Sequence, residues 1–295
     1  MKNPNKILAL LLTLALLLCL CACGNGSGGG GGVLRSQPES FETRLVRAQK
    51  QMEELKSFHM DMSLDMHMTM KMMGQSLDMV LIADYAMDTE QDPLKLAMDL
   101  HMDITAMGQH QEEKSLVYVV RDGDRFLTYT STDGGKTWDK ASSPTPEISQ
   151  QNTEEQMALF LACGDSFQEA GTRMVNGAPA VAYQGKLSGD FVQQAIQSSG
   201  SLDSLGELLG SDIPEELFQG LGDIPVTVAF DQASGMMVYY EMDMSEAMSV
   251  LMQRLMQSVM QSFGLEGVEV NLTAAKVSAT LSGFDQVSVV VPAID

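Results

Sequence analysis

The sequence predicts an α+β fold in which a long antiparallel sheet is covered by helices, with one helix at the N-terminal side of the body and one long helix late in the chain. Three observations predict it. From Met60 to Met72 every even position is apolar and every odd position polar, a two-residue period that belongs to a strand with one buried face. Two further runs, Leu77 to Met87 and Leu94 to Ile104, repeat the pattern after turn residues at Gly74 and Pro93. Met244, Met248, Met252, Met256 and Met260 then recur every four residues beside Ala247, Leu251, Leu255 and Val259, which is the stripe of an amphipathic helix.

The elements follow in order. At the N-terminus, Lys2 and Lys6 precede an apolar run from Ile7 to Leu18, the layout of a secretory signal peptide, too short to span a bilayer. Leu20, Cys21, Ala22 and Cys23 come next, then Gly24 to Gln37, which is rich in glycine and reads as a flexible coil. Residues 38–57 carry Phe41, Leu45, Ala48, Met52 and Leu55 in steps of four and three, with Ser40 placed to cap the start. The three alternating runs form a meander with an acidic wet side, continued by strands at Leu116 to Val120 and Arg125 to Thr130 and by an arm through Trp138.

Asn152 to Cys163 reads as a short helix with Asn152 and Glu155 at capping spacing. Strands return at Thr172 to Val175 and Ala178 to Ser188, and Asp190 to Gln197 looks helical. Ser198 to Gly222 holds at most short helical pieces. Ile224 to Phe230 and Met236 to Met242 form a hairpin. The long helix runs from Ser245 to Phe263, and Val268 to Leu281 and Val287 to Val291 close the chain as strands. No break in composition divides the body, so a single domain over residues 38–295 is expected.

Charge narrows the functions. Eighteen Lys and Arg stand against 39 Asp and Glu, a net charge of −21. Such a chain lacks the basic footprint that nucleic acid or anionic lipid headgroups require. Enzyme chemistry has no support in the motifs: His59, His67, His101 and His110 form no metal-ligand spacing, and no nucleophile elbow or phosphate loop occurs. The chain is therefore read as no enzyme, with no cofactor. Ser131, Asp133, Gly135, Thr137 and Trp138 match the spacing of an Asp-box turn, a structural hairpin.

The 24 methionines are the main functional clue, with twelve between Met60 and Met107 and eight between Met236 and Met260. Met has weaker strand preference than Val or Ile, and its many rotamers specify a core poorly while adapting to varied apolar shapes. The stripe and the sheet face fit either a core filled with Met or a wall of a cavity for a hydrophobic ligand. In the second reading Met62, Met66, Met68, Met79, Met98, Met248, Met252 and Met256 line or border that cavity. Thioether sulfur also suits Cu(I); because His59 and His67 fall on the face opposite the methionines of the same strand, the Cu(I)-binding reading that stays open is three Met sulfurs converging across strands.

Leu20 to Cys23 resembles the lipobox of bacterial lipoproteins, with a branched aliphatic residue three before the Cys and a small residue directly before it. The resemblance implies a signal peptide over residues 1–22, lipid attachment at Cys23 and a linker to Gln37, so that the body sits at the extracellular face of the cell membrane. Loss of Cys19 and Cys21 would leave Cys163 as the one unmodified thiol. The layout of lipidated Cys, linker, leading helix, long antiparallel run, middle helical stretch and late strands is similar to that of the LolA-like half-barrel lipoproteins, which include periplasmic lipoprotein carriers and LppX-like lipid-binding lipoproteins of mycobacteria. The Met-Asp-Met alternation, the Asp133–Trp138 hairpin and the ending Val289-Val290-Val291-Pro292 look like an uncharacterised lipoprotein family of Gram-positive bacteria. These resemblances imply a curved half-barrel sheet and an acyl chain or lipid as ligand, carried or held by a monomer tethered to the membrane. The other reading is a cell-envelope sensor or interaction module with a protein partner and no ligand.

Overall fold

The computed structural model describes residues 39–72, 75–143, 161, 163–190, 193, 215–262 and 269–291. The signal peptide, Cys23, the linker and most of the expected helices over Asn152 to Cys163 and Asp190 to Gln197 lie outside the described residues. Among the described residues eleven strands form one curved, open antiparallel sheet, the half-barrel expected of the chain. Six belong to the first half: β1 (Ser57–Met72), β2 (Gln75–Gln91), β3 (Leu94–Ala106), β4 (Gln109–Asp122), β5 (Arg125–Ser131) and β6 (Asp139–Ser143). Five belong to the second: β7 (Gln168–Val175), β8 (Ala178–Leu187), β9 (Ile224–Asp231), β10 (Met237–Asp243) and β11 (Glu269–Ser282). Their spatial order is β6-β5-β4-β3-β2-β1-β11-β10-β9-β8-β7. Every neighbour pair is consecutive in sequence except one. The first and last strands meet at the centre, paired from His59 with Ser282 to Lys71 with Glu269, and so join two meanders into one sheet.

A bulge makes that central seam work. On β11 the buried residues are Val270 and Leu272, then Ala275, Val277, Ala279 and Leu281, so the buried set changes from even to odd numbers along one strand. The register slips between His67 and Met68 of β1, where β11 inserts one extra residue. An inserted residue restores the alternation that a one-residue slip would otherwise reverse, and both strands keep their apolar side chains on the same face.

Two α-helices lie among the described residues. In α1 (Phe41–Glu54) the Ser40 Oγ accepts from the Thr43 N–H at 3.3 Å, and Phe41, Leu45, Ala48 and Met52 are buried on one stripe. The helix is shorter than residues 38–57, because Leu55 is already extended (ψ 146°) and Ser57 and Phe58 pair with Glu90 and Thr89 of β2. Phe41 stacks on Phe167 with centroids 4.0 Å apart and meets Tyr183 and Phe230 at 5.6 and 6.2 Å. Gly185 makes room for this stack, since a Cβ there would lie 2.5 Å from the Phe167 ring.

The second helix, α2 (Ser245–Ser262), begins as soon as β10 ends. Strand β10 pairs with β11 only from Thr280 to Lys276. Past that point three N–H groups of β11 turn to the helix: Ala275 to Ser245 Oγ (2.9 Å), Leu272 to Ser249 Oγ (3.4 Å) and Val270 to Gln253 Oε1 (2.7 Å). Those acceptors are spaced four residues apart on one helix row. The row takes the place of a neighbouring strand, and the backbone donors of a sheet edge find side-chain partners.

The end of the chain corrects the expected strand at Val287 to Val291, which forms no ladder. The backbone turns at Gly283 and Asp285, both with positive φ, and the tail is held by side chains. Val287 N–H donates to Ser57 Oγ at 3.1 Å, while Val289 N–H and Ser288 Oγ–H reach one Glu90 oxygen at 2.6 and 3.0 Å. The Lys95 ammonium and these two donors hold the Glu90 carboxyl below its ordinary pKa. A Glu90→Ala variant is expected to lose its C-terminal residues to carboxypeptidase faster than the parent, read by intact mass; equal trimming rates would show that the tail is held without Glu90.

Elsewhere β4 begins at Gln109 rather than Leu116, because its polar start pairs with β3 out to Ala106 regardless of hydropathy. The Asp133 turn is closed as its spacing implies. Asp133 accepts from Thr137 Oγ–H, Thr137 N–H, Ser131 Oγ–H and Lys136 N–H, which hold its carboxyl far below the usual carboxylate range. The Trp138 indole N–H donates to Gly135 O at 3.1 Å and its ring meets Tyr118 edge-on.

Candidate ligand-binding face and outer groove

The two faces of the sheet are chemically opposite, and β1 shows both. Inward, Met60, Met62, Leu64, Met66 and Met68 are each at most 6 % exposed. Across the β11 seam they meet smaller or branched residues, Met62 facing Ala279, Met66 facing Ala275 and Met68 facing Leu272, while on the β2 side they face Tyr85, Leu81 and Met79. Met87 of β2 then pairs with Met98 of β3. Long thioether chains beside alanines fill the layer by interdigitation.

The helix α2 completes that layer. Met244, Ala247, Met248, Leu251, Met252 and Leu255 are buried in the same apolar cluster as the sheet methionines. Of the residues read as a ligand wall, Met62, Met66, Met68, Met248 and Met252 are buried there, and Met79, Met98 and Met256 are partly buried against it. The structure therefore brings all eight into one continuous cluster. Exposure rises toward the β1–β2 and β3–β4 turns, where Met70, Leu77, Met79 and Ile104 are only partly covered. Cys163 is a free, partly buried thiol.

Outward, the odd residues of β1 and their neighbours make an acidic surface. A groove of about 580 Å³ runs across it, lined by Asp61 and Ser63 of β1, Asp84 of β2, Asp99 and His101 of β3, Lys114 of β4 and Ser278 and Thr280 of β11. Small side chains contribute to its lining: Ser63 of β1 pairs with Ser278 of β11, and Ala86 of β2 stands opposite Asp61. All four histidines lie on this face. His101 Nε2 is 2.9 Å from Glu112, His67 Nε2 is 2.8 Å from Asp65, His110 Nε2 is 3.4 Å from Asp103, and His59 contacts both Asp88 and Asp61. Among the described residues no three His, Cys, Asp or Glu side chains are placed to hold a metal ion. Sequence reasoning treated this face as a solvated surface. Its groove depends on which strands lie side by side, and the pairing of β1 with β11 has no local signal.

The described helices include none long and apolar enough to cross a membrane. Residues 41–161 match the model of a family of unknown function, DUF6612. That span holds α1 and the first meander. No curated protein matches the chain. Among solved structures, the chain is similar to the lipoprotein LppX of Mycobacterium tuberculosis, at 13 % identity over 85 % of this chain and 97 % of that one, with a TM-score of 0.35. It is also similar to LprF of Mycobacterium bovis, at 12 % identity over 86 % and 97 %, TM-score 0.45. A third similar structure is a DUF1329 family protein of Desulfovibrio piger, at 10 % identity over 83 % and 91 %, TM-score 0.16. Identities this low and superpositions this loose say nothing of what the chain binds.

Proposed function

We propose that the chain is a surface lipoprotein, tethered to the cell membrane through Cys23, whose body over residues 38–295 is one domain that carries or holds a hydrophobic ligand, a lipid or acyl chain, against its methionine face. The observation that carries the reading is the single apolar layer in which the β1–β3 methionines and the α2 methionines meet. Met is the softest apolar side chain, and a wall of it admits guests of varied shape at small rearrangement cost. The partly covered methionines near the β1–β2 turn are where such a guest would enter the layer. The lipobox-like residues before Cys23 support the tether, and two or three acyl chains on that Cys would anchor it firmly. The chain would act by binding and without catalysis.

Native mass spectrometry of the full chain purified from its own membrane tests this. Lipid-sized adducts beyond the mass of the acylated Cys23 are the expected result, and their replacement by a smaller set in a Met66→Leu, Met68→Leu variant would place them on the sheet face. A spectrum with no adduct, in membrane-derived protein that remains folded, would sink the ligand. The outer groove favours a second reading, an envelope interaction module that docks a partner on its acidic face. Reversing the charge of Asp84 and Asp99 to Lys separates the two: adducts survive if the ligand lies on the methionine face, whereas partner capture by the wild-type chain is lost in the variant.

A further inference from the structure

His59 is the one histidine with a carboxylate on each ring nitrogen. Its Nδ1 lies 2.6 Å from Asp88 of β2 and its Nε2 3.1 Å from Asp61 of its own strand. A neutral imidazole has a single N–H and can donate to only one of them, leaving a lone pair against the other carboxylate. The doubly protonated ring satisfies both. The ring side chain is 28 % exposed, enough to exchange a proton with water. On its other flank β11 and the turn after it offer Ser282, paired opposite, and Gly283, whose added Cβ would lie 3.4 Å from the His59 Cβ. Neither brings a charge. The tail's Asp285 is occupied by the Lys56 N–H at 2.6 Å. Asp61 and Asp88 are thus the charged groups that face the ring.

We propose that His59 is a proton-operated clamp between β1 and β2, closed when the ring is doubly protonated and slackened when it is neutral. It sits where α1 enters the sheet and where the C-terminal tail crosses Ser57. Asp61 also lines the outer groove, so the same proton sets both the cohesion of the two strands and the charge on the groove wall. Partial burial works against protonation, but hydrogen bonds with Asp88 and Asp61 and their negative charges outweigh it, and the pKa of the ring moves up. A raised folded pKa contributes stability that is fully present below the unfolded value, about 6.5, and is lost as pH rises through the folded one.

The test uses the ring resonances of His59 in the full chain, followed by NMR from pH 5.5 to 8.5, together with the thermal midpoint over the same range. The expected ring titration lies above pH 6.5 and drops in an Asp88→Asn variant. The wild-type thermal midpoint is expected to fall from pH 6 to 8.5 by about 2 °C more than that of a His59→Gln variant, which keeps a donor and cannot titrate. A ring that titrates at or below 6.5, or equal pH slopes in the two proteins, would overturn the clamp. Should His59→Gln fail to fold, the wild-type ring titration and its response to Asp88→Asn decide alone.

Discussion

Replacing Phe230 by Ala is expected to cost about 3–5 kcal/mol of unfolding free energy, the range for deleting a fully buried aromatic side chain. Phe230 of β9 has no exposed surface and sits edge-on to Tyr183 at 6.0 Å and to Phe41 at 6.2 Å. Through Phe41 it reaches the stacked Phe167, so this ring sits at the centre of the aromatic contact between α1 and the second meander. Urea denaturation followed by tyrosine and tryptophan fluorescence measures the loss, and a Phe230→Leu control that keeps most of the volume should lose less than half as much. A loss below about 1 kcal/mol would mean that α1 packs independently of this cluster.

The second large effect concerns the edge of β11. Removing two acceptors with Ser245→Ala and Gln253→Leu leaves the N–H groups of Ala275 and Val270 facing the helix without their partners. Each orphaned donor costs about 1–3 kcal/mol, so the double variant should lose several times what Ser249→Ala loses, whose bond to the Leu272 N–H is 3.4 Å long. Amide exchange at Ala275 and Val270 is expected to quicken well beyond that at Val277, which remains within the β10 ladder. Uniform exchange along β11 would show that the apolar face of α2 alone holds it in place. If the methionine layer holds a ligand, the same variant should purify with fewer adducts, since α2 forms one of its walls.

Much of this architecture was legible because it is local. The alternation from Met60 to Met72 fixes which side of β1 is apolar whatever lies beside it, and the four-residue spacing of Met244 to Met256 does the same for α2. The Asp133 turn was readable for the same reason, since all its donors lie within four residues of Asp133. Val287 to Val291 misled because a run of valines is strand-like in composition, while the tail's hydrogen bonds go to Glu90 and Ser57, some 200 residues away in sequence. The inner methionine set was readable as a face. That sheet and helix methionines share one cluster depends on α2 lying along β11.

Polarity is a local property: the residues of each strand and helix carry within themselves which side meets apolar surroundings, and that one face of the sheet is acidic. The tertiary structure alone decided adjacency. The pairing of β1 with β11, the bulge that keeps their buried sets aligned and the outer groove join residues roughly 200 positions apart, and the substitution of α2 side chains for a strand depends on how the helix lies along β11. Backbone hydrogen bonding carries no residue code of its own, so any alternating strand offers the same donors and acceptors to any other. The choice falls to the packing of whole faces. That is why a methionine face could be read from thirteen residues, while the groove behind it required the whole sheet.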